Sequence, residues 1–526
     1  MDDIVTLSIM IVRPILSAIA VTFFATALVV KAEVRLPRIL GSHMVLQRDL
    51  PIHIWGWSDP GENVSVALQN TTRTAAADEL GRWSVYLPAQ HAGGPFQITV
   101  SGTKRIVLDD ILIGDVWFAS GQSNMEMPLR GFRNSAFVNN AAEEIAHAMQ
   151  PNIRLLNIGQ KASSFPLTDY GAEGRHQEPG VSQSWTVCSP ETAAGFSAAA
   201  YFFGRDLVAK EHVPIGLIDS TWGGTPAEAW TSLDGISSDA GLMPVFTAYA
   251  HMMNEEAELP LVIASEKRAD AAARSANQTP PKHPWRPNPE SWAPAWLFNG
   301  MVSPALEFPI KGVIWYQGES NADPERAPLY AKLFPALISD WRTHWHEGNF
   351  PFLFVQIANF NAGEQQTWPI VREAQRRTLS LANTAMAVTI DAGTPDNVHP
   401  SDKQTVGARL ALAARAIAYG EDVEYSGPMF RQVSAENGGL RVWFDHAEGL
   451  VAKGGTLGGF EVAGDDHHFV TATATIDGPS VLVTSPQVAH PKFVRYGWRN
   501  APVVNLFNSA GLPASPFTSE DTVPAS

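Results

Sequence analysis

The sequence has 526 residues, of which 45% are hydrophobic and 10% aromatic, so the chain can bury more core than one ordinary domain holds. Its formal net charge of -16, from 53 acidic and 37 basic residues, disfavours nucleic acid and anionic membrane surfaces as partners. A neutral or weakly charged substrate fits this charge better. Cys188 is the only cysteine, which excludes an intrachain disulfide and a cysteine-based zinc site.

The N-terminus carries an apolar run over residues 14–30, followed by small residues of the kind that signal peptidase needs. We predict that residues 1–32 are a cleaved secretory signal peptide and that the mature protein is periplasmic or secreted, with no stable membrane association. Translation can start at Met1 or at Met10, because a start at Met10 places Arg13 directly before the apolar run. A retained membrane anchor is the alternative, although the run lies at the short limit for spanning a bilayer.

Three changes of pattern divide the chain into predicted units. Short alternating stretches between turn residues predict an N-terminal β domain over residues 33–108. Continuous apolar strands that alternate with helical patterns predict an α/β catalytic domain over residues 109–420. Short strands return over residues 421–493, and we expect the tail, residues 494–526, to pack back on the catalytic domain. The predicted fold class is therefore α/β, a doubly wound parallel sheet flanked by β-sandwich-like segments.

The predicted elements of the catalytic domain follow one another in chain order. Buried parallel strands are expected at 116–119, 215–218, 313–316, 352–355 and 386–390, with helices at 198–210, 329–342, 369–382 and 404–419. Residues 264–289 lack apolar periodicity and are expected to form a surface excursion, which is a candidate flap.

A serine follows the first of these strands in Gly121-Gln122-Ser123-Asn124-Met125. A strand-to-loop turn with glycine exposes the hydroxyl and aims backbone N–H groups at the oxyanion that acyl transfer creates. The tripeptide Gly-x-Ser alone is a weak signal, since most such serines are ordinary turn residues. Ser123 is nevertheless the candidate nucleophile, because other polar loops follow neighbouring strands.

An acid and a histidine follow the last predicted strand, as Asp396 and His399. At this spacing the carboxylate can accept from one imidazole nitrogen and orient the other towards a serine hydroxyl. A structural hydrogen bond is an equally good explanation of such a pair taken alone. His399 also precedes a capping-box pattern at residues 401–404, which predicts a fixed helix start beside it.

Two further polar loops follow predicted strands of the same sheet. Gln317-Gly318-Glu319 follows the strand at 313–316, and the Trp222-Gly223-Gly224 loop follows the strand at 215–218. The paired glycines allow close backbone approach, so an N–H of Gly223 or Gly224 is a candidate oxyanion donor. The carboxyl ends of parallel strands meet at one edge of a sheet, and we therefore expect these loops to converge on one site.

These loops resemble those of the sialate O-acetylesterase family, which belongs to the SGNH-type hydrolases. The matching stretches span nearly the whole mature chain, and they are 44–48, 121–129, 220–231, 299–301, 315–322, 351–356, 396–400 and 511–517. The resemblance implies hydrolysis of acetyl esters on carbohydrate through an acyl-enzyme, with no metal or organic cofactor.

The resemblance also implies roles for individual residues. Ser123 would be the nucleophile, His399 the general base and then acid, and Asp396 the residue that orients the histidine. The N–H groups of Ser123 and Gly224 would form the oxyanion hole, with Gln317 as the side-chain donor. Many SGNH hydrolases carry an asparagine in the block where this chain has Gln317, which leaves the third donor open.

Glu319 is a second candidate for the triad acid, because some related acetylesterases are argued to use the glutamate of this loop. Asp396 is favoured, since a carboxylate three residues before the histidine needs no long-range placement. Glu319 would then hold substrate hydroxyls or support its loop. His344 and His346 do not indicate a metal site, because no third ligand is spaced with them.

The main alternative function is a catalytically silent carbohydrate-binding protein that recognises sugar through its β segments and its 16 tryptophans. A lipase or peptidase is less consistent with the sequence, which has no long apolar lid. The expected partner is an acetylated carbohydrate. Acetylated plant or bacterial polysaccharide fragments are favoured over sialic acid, because no arginine cluster is evident for the sialate carboxylate.

Overall fold

The computed structural model describes residues 33–132, 136–171, 181–283, 285–365 and 367–522. The predicted signal peptide, residues 1–32, lies outside the described residues. Within the described ranges, no helix combines the length and the apolar content needed to cross a bilayer.

A long strand, Arg105–Gly121, organises the fold, because every residue from Ile111 onwards is buried. It lies inside a sheet whose strands, in spatial order, are Thr384–Ala387, Phe352–Val355, Gly312–Tyr316, Arg105–Gly121, Ile215–Thr221, Gln150–Asn157 and Thr186–Cys188. All neighbouring pairs are parallel except the last, which is antiparallel. This arrangement confirms the predicted doubly wound α/β fold.

The strand order reverses direction at Arg105–Gly121. Later strands are added on one side of it through Gly312–Tyr316, and earlier ones lie on the other side beyond Ile215–Thr221. Such a reversal leaves a crevice at the carboxyl ends of the central strands, where open α/β sheets bind ligands. The loop that carries Ser123 follows the central strand at this point.

Helices cover both faces of the sheet. Ala198–Glu211 and Lys403–Tyr419 pack on the face that buries Trp117 and Ala119. The opposite face, which buries Phe118, is covered by Tyr330–Trp345 and Trp368–Thr378. The observed helix and strand bounds lie within a few residues of the predicted ones, with two exceptions. The strand predicted at 116–119 is the end of the much longer strand Arg105–Gly121, and the last predicted strand, 386–390, is observed instead at Thr384–Ala387.

The N-terminal β strands share the central strand with the catalytic sheet. The first half of Arg105–Gly121 pairs with Gly93–Ser101 and Val45–Gln47, so the predicted boundary at residue 108 falls inside one continuous strand. The other strands of this region are Asn63–Leu68 and Thr71–Ala76, and a separate antiparallel pair, Ile52–Trp57 with Arg82–Leu87. One hydrophobic core runs from these strands into the catalytic sheet.

The C-terminal β unit has its own core. Its strands are Met429–Glu436, Gly439–Asp445, Ser480–Thr484 and Thr473–Asp477 in one sheet, Val470–Thr471, Phe460–Ala463, Phe493–Tyr496 and Phe517–Thr518 in another, and the pair Val451–Ala452 with Leu506–Phe507. The tail therefore supplies strands to this unit. It also returns to the catalytic domain at Asn500, whose carbonyl accepts from Arg372 at 2.9 Å.

The predicted excursion at 264–289 is partly regular, because the helix Leu259–Ser275 covers its first half. This helix buries no side chain, so it has no apolar stripe that could have revealed it. The remaining short elements are the helices Ser123–Glu126, Ala141–Ala146, Pro190–Ala193, Leu233–Ser237, Pro244–Glu255 and Pro289–Trp292, the π-helix Phe298–Val302, and the 3-10 turns Ala227–Trp230, Ala240–Leu242, Glu256–Glu258, Ser303–Ala305, Glu319–Asn321 and Ala327–Leu329.

Candidate active site

Ser123 occupies the first position of a short helix, Ser123–Glu126, directly after the central strand. Gly121 makes this sharp turn possible: its φ is 130°, and a side chain there would collide with the carbonyl oxygen of Tyr316. The first N–H groups of a helix have no partner inside the helix, so the turn presents both the hydroxyl and a free N–H at the edge of the sheet.

His399 lies against Ser123, with 2.9 Å between the histidine Nε2 and the serine Oγ. The backbone N–H of His399 donates to Asn397 Oδ1 at 2.9 Å, which holds the loop. The next helix begins at Lys403, and Asp402 caps it by accepting from the N–H of Thr405 at 3.0 Å. A capped helix start thus lies beside the histidine, but the cap is Asp402 and not Ser401 of the predicted capping box. Ser123 and His399 are brought together as predicted.

Burial and, to a smaller extent, the positive charge of Lys403 lower the pKa of His399 to about 4. The edge of the Phe132 ring packs against the imidazole, with 5.3 Å between ring centroids. The imidazole is consequently neutral near pH 7, and a neutral imidazole nitrogen is the form that can accept the serine proton.

Asp396 does not contact His399. Its side chain is exposed, and within the described residues neither a hydrogen bond nor an ion pair joins the two side chains. A β-bridge between Thr394 and Asn397 shapes the turn that carries Asp396, and Asn397 rather than Asp396 bonds to the histidine backbone. The predicted hydrogen bond from the imidazole to Asp396 is thus absent from this conformation of the loop.

Glu319 belongs to a buried polar network beside Ser123. Asn124 Nδ2 donates to Glu319 Oε1 at 2.6 Å and to the carbonyl of Val398 at 2.9 Å. Lys403 Nζ donates to Asn124 Oδ1 at 2.6 Å. The network therefore ties the residue after Ser123 to the residue before His399.

Burial and the neighbouring charges shift the pKa values of Glu319 and Lys403 in opposite directions. Burial raises the pKa of Glu319, while the Asn124 hydrogen bond and the charge of Lys403 lower it. Burial lowers the pKa of Lys403 to about 7, against the charges of Glu319 and Asp402. The sequence carried one signal for Lys403, because a cation in the first turn of a helix is unfavourable unless a nearby anion compensates it.

Two backbone N–H groups face the space beside the Ser123 hydroxyl. Those of Ser123 and Gly224 donate no hydrogen bond within the described residues, and both residues line the same cavity. Gly224 has a φ of 71°, which favours glycine. The N–H of Gly223 is engaged instead, because it donates to Glu126 Oε2 at 2.5 Å. Of the two glycines, Gly224 is therefore the one with an available donor.

Gln317 does not reach the cavity. Its side chain is fully buried, and Nε2 donates to Asn321 Oδ1 at 2.7 Å and to the Thr225 carbonyl at 3.2 Å. Its Oε1 accepts from the Tyr330 hydroxyl at 2.9 Å. The position after a strand does not reveal which way a side chain points, and this one points into the core. The expected side-chain donor is thus used to hold the loop.

Gln122 lines the cavity where Gln317 was expected to act. Its Oε1 accepts from the N–H groups of Ser320 at 3.1 Å and Gly318 at 3.4 Å. Because a backbone N–H can only donate, these contacts fix the amide oxygen on the loop side, and Nε2 makes no hydrogen bond within the described residues. The one sequence signal for Gln122 was its position next to Ser123.

The cavity has a volume of about 880 Å³, within the usual range for small-molecule sites. Its walls combine the aromatic residues Phe132, Trp285, Trp292 and Trp368 with the acidic residues Glu126, Glu319 and Asp323. None of the described residues that line it is arginine or lysine. Trp285, whose surface is 67% exposed, comes from the segment that sequence analysis assigned to a surface excursion.

Metal ligands do not cluster in the part of the chain that the structure describes, where no group of three or more His, Cys, Asp or Glu side chains could hold an ion. His344 instead contacts Asp340, with 3.1 Å between Nδ1 and Oδ1.

A serine and a neutral histidine in hydrogen-bond contact, with free backbone donors at the switch point of a doubly wound sheet, define the class: an SGNH-type serine ester hydrolase. A family model described as carbohydrate esterase, sialic acid-specific acetylesterase, matches residues 285–416. The sialate O-acetylesterase of Mus musculus is 30% identical, and the match covers 92% of this chain and 94% of the mouse protein. That of Homo sapiens is 30% identical and covers 92% of each chain.

A solved structure agrees with these sequence relatives. The crystal structure of a carbohydrate acetylesterase from Xanthomonas citri is 37% identical, with a TM-score of 0.77, and the match covers 93% of this chain and 100% of that one. The chain therefore belongs to the sialate O-acetylesterase family, as its loops predicted, and is a carbohydrate acetylesterase of the serine carboxylic-ester hydrolase class.

Proposed function

We propose that the protein hydrolyses acetyl esters of neutral, polymer-derived sugars through an acetyl-enzyme formed on Ser123. The observation that carries the proposal is the 2.9 Å contact between Ser123 Oγ and His399 Nε2. The serine oxygen attacks the acetyl carbonyl carbon while Nε2 takes its proton. The resulting oxyanion is held by the N–H groups of Ser123 and Gly224.

The second half of the reaction uses the same groups. Collapse of the tetrahedral intermediate breaks the bond to the sugar oxygen, which receives the proton from His399 Nε2. A water molecule then loses a proton to His399 and attacks the acetyl-serine, and acetate leaves as the serine recovers its proton. Each step needs only the serine, the histidine, the oxyanion donors and water.

We assign the orienting acid to Asp396. Nε2 can accept the serine proton only while Nδ1 carries a hydrogen, and an exposed carboxylate three residues earlier is free to turn and accept it. Catalytic hydrogen bonds often form fully only in the substrate complex. The alternative acid, Glu319, already accepts from Asn124 and faces the charge of Lys403, so it supports the loops.

We assign the third oxyanion donor to Gln122 in place of Gln317. The uncommitted Nε2 of Gln122 and its position in the cavity wall support this role. The amide hydrogens of Gln317 are already used inside the loop.

The cavity walls support a neutral sugar as the substrate, in the form of acetylated plant or bacterial polysaccharide fragments such as hemicellulose oligosaccharides. Aromatic faces suit the apolar faces of sugar rings, and acidic side chains suit hydroxyl donors. A sialic acid would bring a carboxylate to described walls that carry acidic residues and no arginine or lysine. Such substrates agree with the predicted export of the protein to the periplasm or the medium.

Acetate release tests the proposal. Wild-type protein should deacetylate acetylated xylan and xyloglucan oligosaccharides faster than O-acetyl sialic acid, and Ser123→Ala should abolish release from all of them. The exposed Ser237, replaced by alanine, is the matched control and should leave the rates unchanged. Full activity of Ser123→Ala on p-nitrophenyl acetate would refute the assignment of the nucleophile. Sugar binding without turnover of any acetylated glycan would favour a silent binding protein instead.

A further inference from the structure

A second cavity, of about 710 Å³, lies between the N-terminal β strands and the catalytic domain. One wall comes from the strand pair Ile52–Trp57 and Arg82–Leu87. The other wall includes Glu307 and Glu347, which precede two strands of the catalytic sheet. None of the catalytic residues lines this second groove.

Three flat rings form a parallel stack in the wall of the groove. Tyr86 stacks on His53 with 4.3 Å between centroids and an interplanar angle of 6°, and His53 stacks on Trp55 at 4.8 Å and 22°. Two contacts fix the middle ring, because His53 Nδ1 lies 2.9 Å from the Glu307 carbonyl and Nε2 lies 2.8 Å from Ser84 Oγ. The outer ring, Tyr86, is 58% exposed, so a rigid aromatic face is open to a ligand.

The polar groups of the groove favour hydroxyl donors over anions. Glu307 is 65% exposed at its side chain, and burial raises the pKa of Glu347 to about 7, so this carboxyl can both accept and donate. Two of the basic side chains that line the groove are already paired. Arg82 contacts Asp78 at 2.8 Å, and His344 contacts Asp340.

The geometry points to a second, non-catalytic carbohydrate site in this groove: we propose that Tyr86 stacks on a neutral sugar ring of the polysaccharide while Glu307 accepts from its hydroxyl groups. The proposal rests on the proposed function for the nature of the polymer. A flat, fixed aromatic ring beside acceptor groups is the chemistry that recognises an uncharged pyranose, which has an apolar face and a polar rim.

The two sites lie at opposite ends of the same strands. Glu307 precedes Gly312–Tyr316, and Glu319 of the catalytic cavity follows it. Five strand residues at about 3.3 Å each separate the two ends by about 16 Å. A sugar bound in the groove therefore does not touch Ser123. The groove would hold a polymer near the enzyme and raise the local concentration of its acetyl groups.

Binding to the inactive Ser123→Ala protein tests the proposal separately from catalysis. Affinity electrophoresis in gels that contain deacetylated xylan or xyloglucan should show retardation, and Tyr86→Ala should weaken binding at least tenfold. Tyr86→Phe keeps the ring and should bind nearly as well. Leu80→Ala is the matched control, since Leu80 is 72% exposed and lies outside the groove. Unchanged binding by Tyr86→Ala would overturn the proposal.

A second variant distinguishes the loss of a binding contact from a folding defect. Glu307→Gln changes an exposed side chain, keeps the carbonyl that holds His53, and should weaken polysaccharide binding severalfold. In otherwise wild-type protein, Tyr86→Ala should slow acetate release from the acetylated polymer severalfold and leave p-nitrophenyl acetate hydrolysis unchanged. Equal loss on both substrates would contradict a remote binding site. Displacement of the bound polymer by tetramethylammonium would assign the groove to cations instead.

Discussion

Lys403 Nζ donates to Asn124 Oδ1 at 2.6 Å, so the helix after His399 is tied to the residue after Ser123. Both residues are buried, and the contact spans 279 positions of the sequence. Its consequence is electrostatic as well as geometric, because the same ammonium group lies close enough to His399 to lower the imidazole pKa.

The first prediction concerns the acid limb of the pH profile. Since burial and Lys403 lower the pKa of His399 to about 4, the imidazole stays a competent base well below pH 6. We expect kcat/KM on p-nitrophenyl acetate to fall with a midpoint near pH 4 rather than near the ordinary histidine value of about 6.5. A midpoint at or above pH 6 would contradict this environment for His399.

The lowered pKa of His399 also affects the stability of the folded protein. The unfolded chain binds a proton to this histidine below about pH 6.5, and the folded protein does not until about pH 4. The contribution of His399 to the free energy of unfolding therefore decreases as the pH falls between these values. The pH profile should accordingly be measured over short assays that precede unfolding.

The second prediction concerns the charge on Lys403. Lys403→Met removes the positive charge that opposes protonation of His399, so the midpoint of the acid limb should rise, while burial keeps it below 6.5. The variant should also melt at a lower temperature, because it leaves Asn124 Oδ1 without its donor and Glu319 without its counter-charge. Lys267→Met, on the exposed helix Leu259–Ser275, is the control and should change neither quantity. An unmoved midpoint would show that Lys403 does not act on His399.

The third prediction separates the two candidate acids. Asp396→Asn removes the proposed orienting carboxylate and should lower kcat by about a hundredfold or more. Glu319→Gln keeps an oxygen for Asn124 and should lower kcat less, with its main effect on the melting temperature through Lys403. Single-turnover rates on p-nitrophenyl acetate give both losses. A larger loss in Glu319→Gln would transfer the triad role to that residue.

Sequence patterns predicted the strands of the sheet well and the directions of the side chains poorly. The strand Phe352–Val355 is buried along its whole length, which produces the continuous apolar run that identifies it. The strand Gln150–Asn157 begins with polar and exposed residues, so no such run marks it. The helix Leu259–Ser275 has no buried face and hence no periodicity.

Prediction from sequence has the same limit for single residues of the site. The proximity of Ser123 and His399 was predictable because strand ends meet at one edge of a parallel sheet. Gln317 was placed correctly on its loop, but its amide turns inwards to Asn321 and Tyr330, and no pattern in the sequence specifies that rotation. Asn124 acquires its role only through long-range contacts with Glu319 and Lys403, which local sequence does not encode.

The fourth prediction tests the assignment of the third oxyanion donor to Gln122 in place of Gln317. Gln122→Glu retains an oxygen for the N–H of Ser320 and removes the proposed oxyanion donor, so kcat should fall by about a hundredfold with a smaller change in KM. Gln317→Leu should act on stability instead, at about 1–3 kcal/mol for each buried partner left unpaired. Inhibition by a methylphosphonate ester, which mimics the tetrahedral oxyanion, should weaken in Gln122→Glu. Unweakened inhibition there would argue against the donor.

The fifth prediction concerns Trp285, which brings an exposed indole to the catalytic cavity from the segment after the helix Leu259–Ser275. Trp285→Ala removes a surface on which a sugar ring can stack and leaves Ser123 and His399 unchanged. KM for acetylated oligosaccharides should rise severalfold, while kcat/KM on p-nitrophenyl acetate should stay within about twofold, since that small ester needs little beyond the oxyanion donors. Phe165→Ala, at a side chain 64% exposed and outside the cavity, is the matched control. An equal loss on both substrates would mean that Trp285 shapes the oxyanion loop through Gly224 rather than binding sugar, because its ring lies where a side chain on Gly224 would stand.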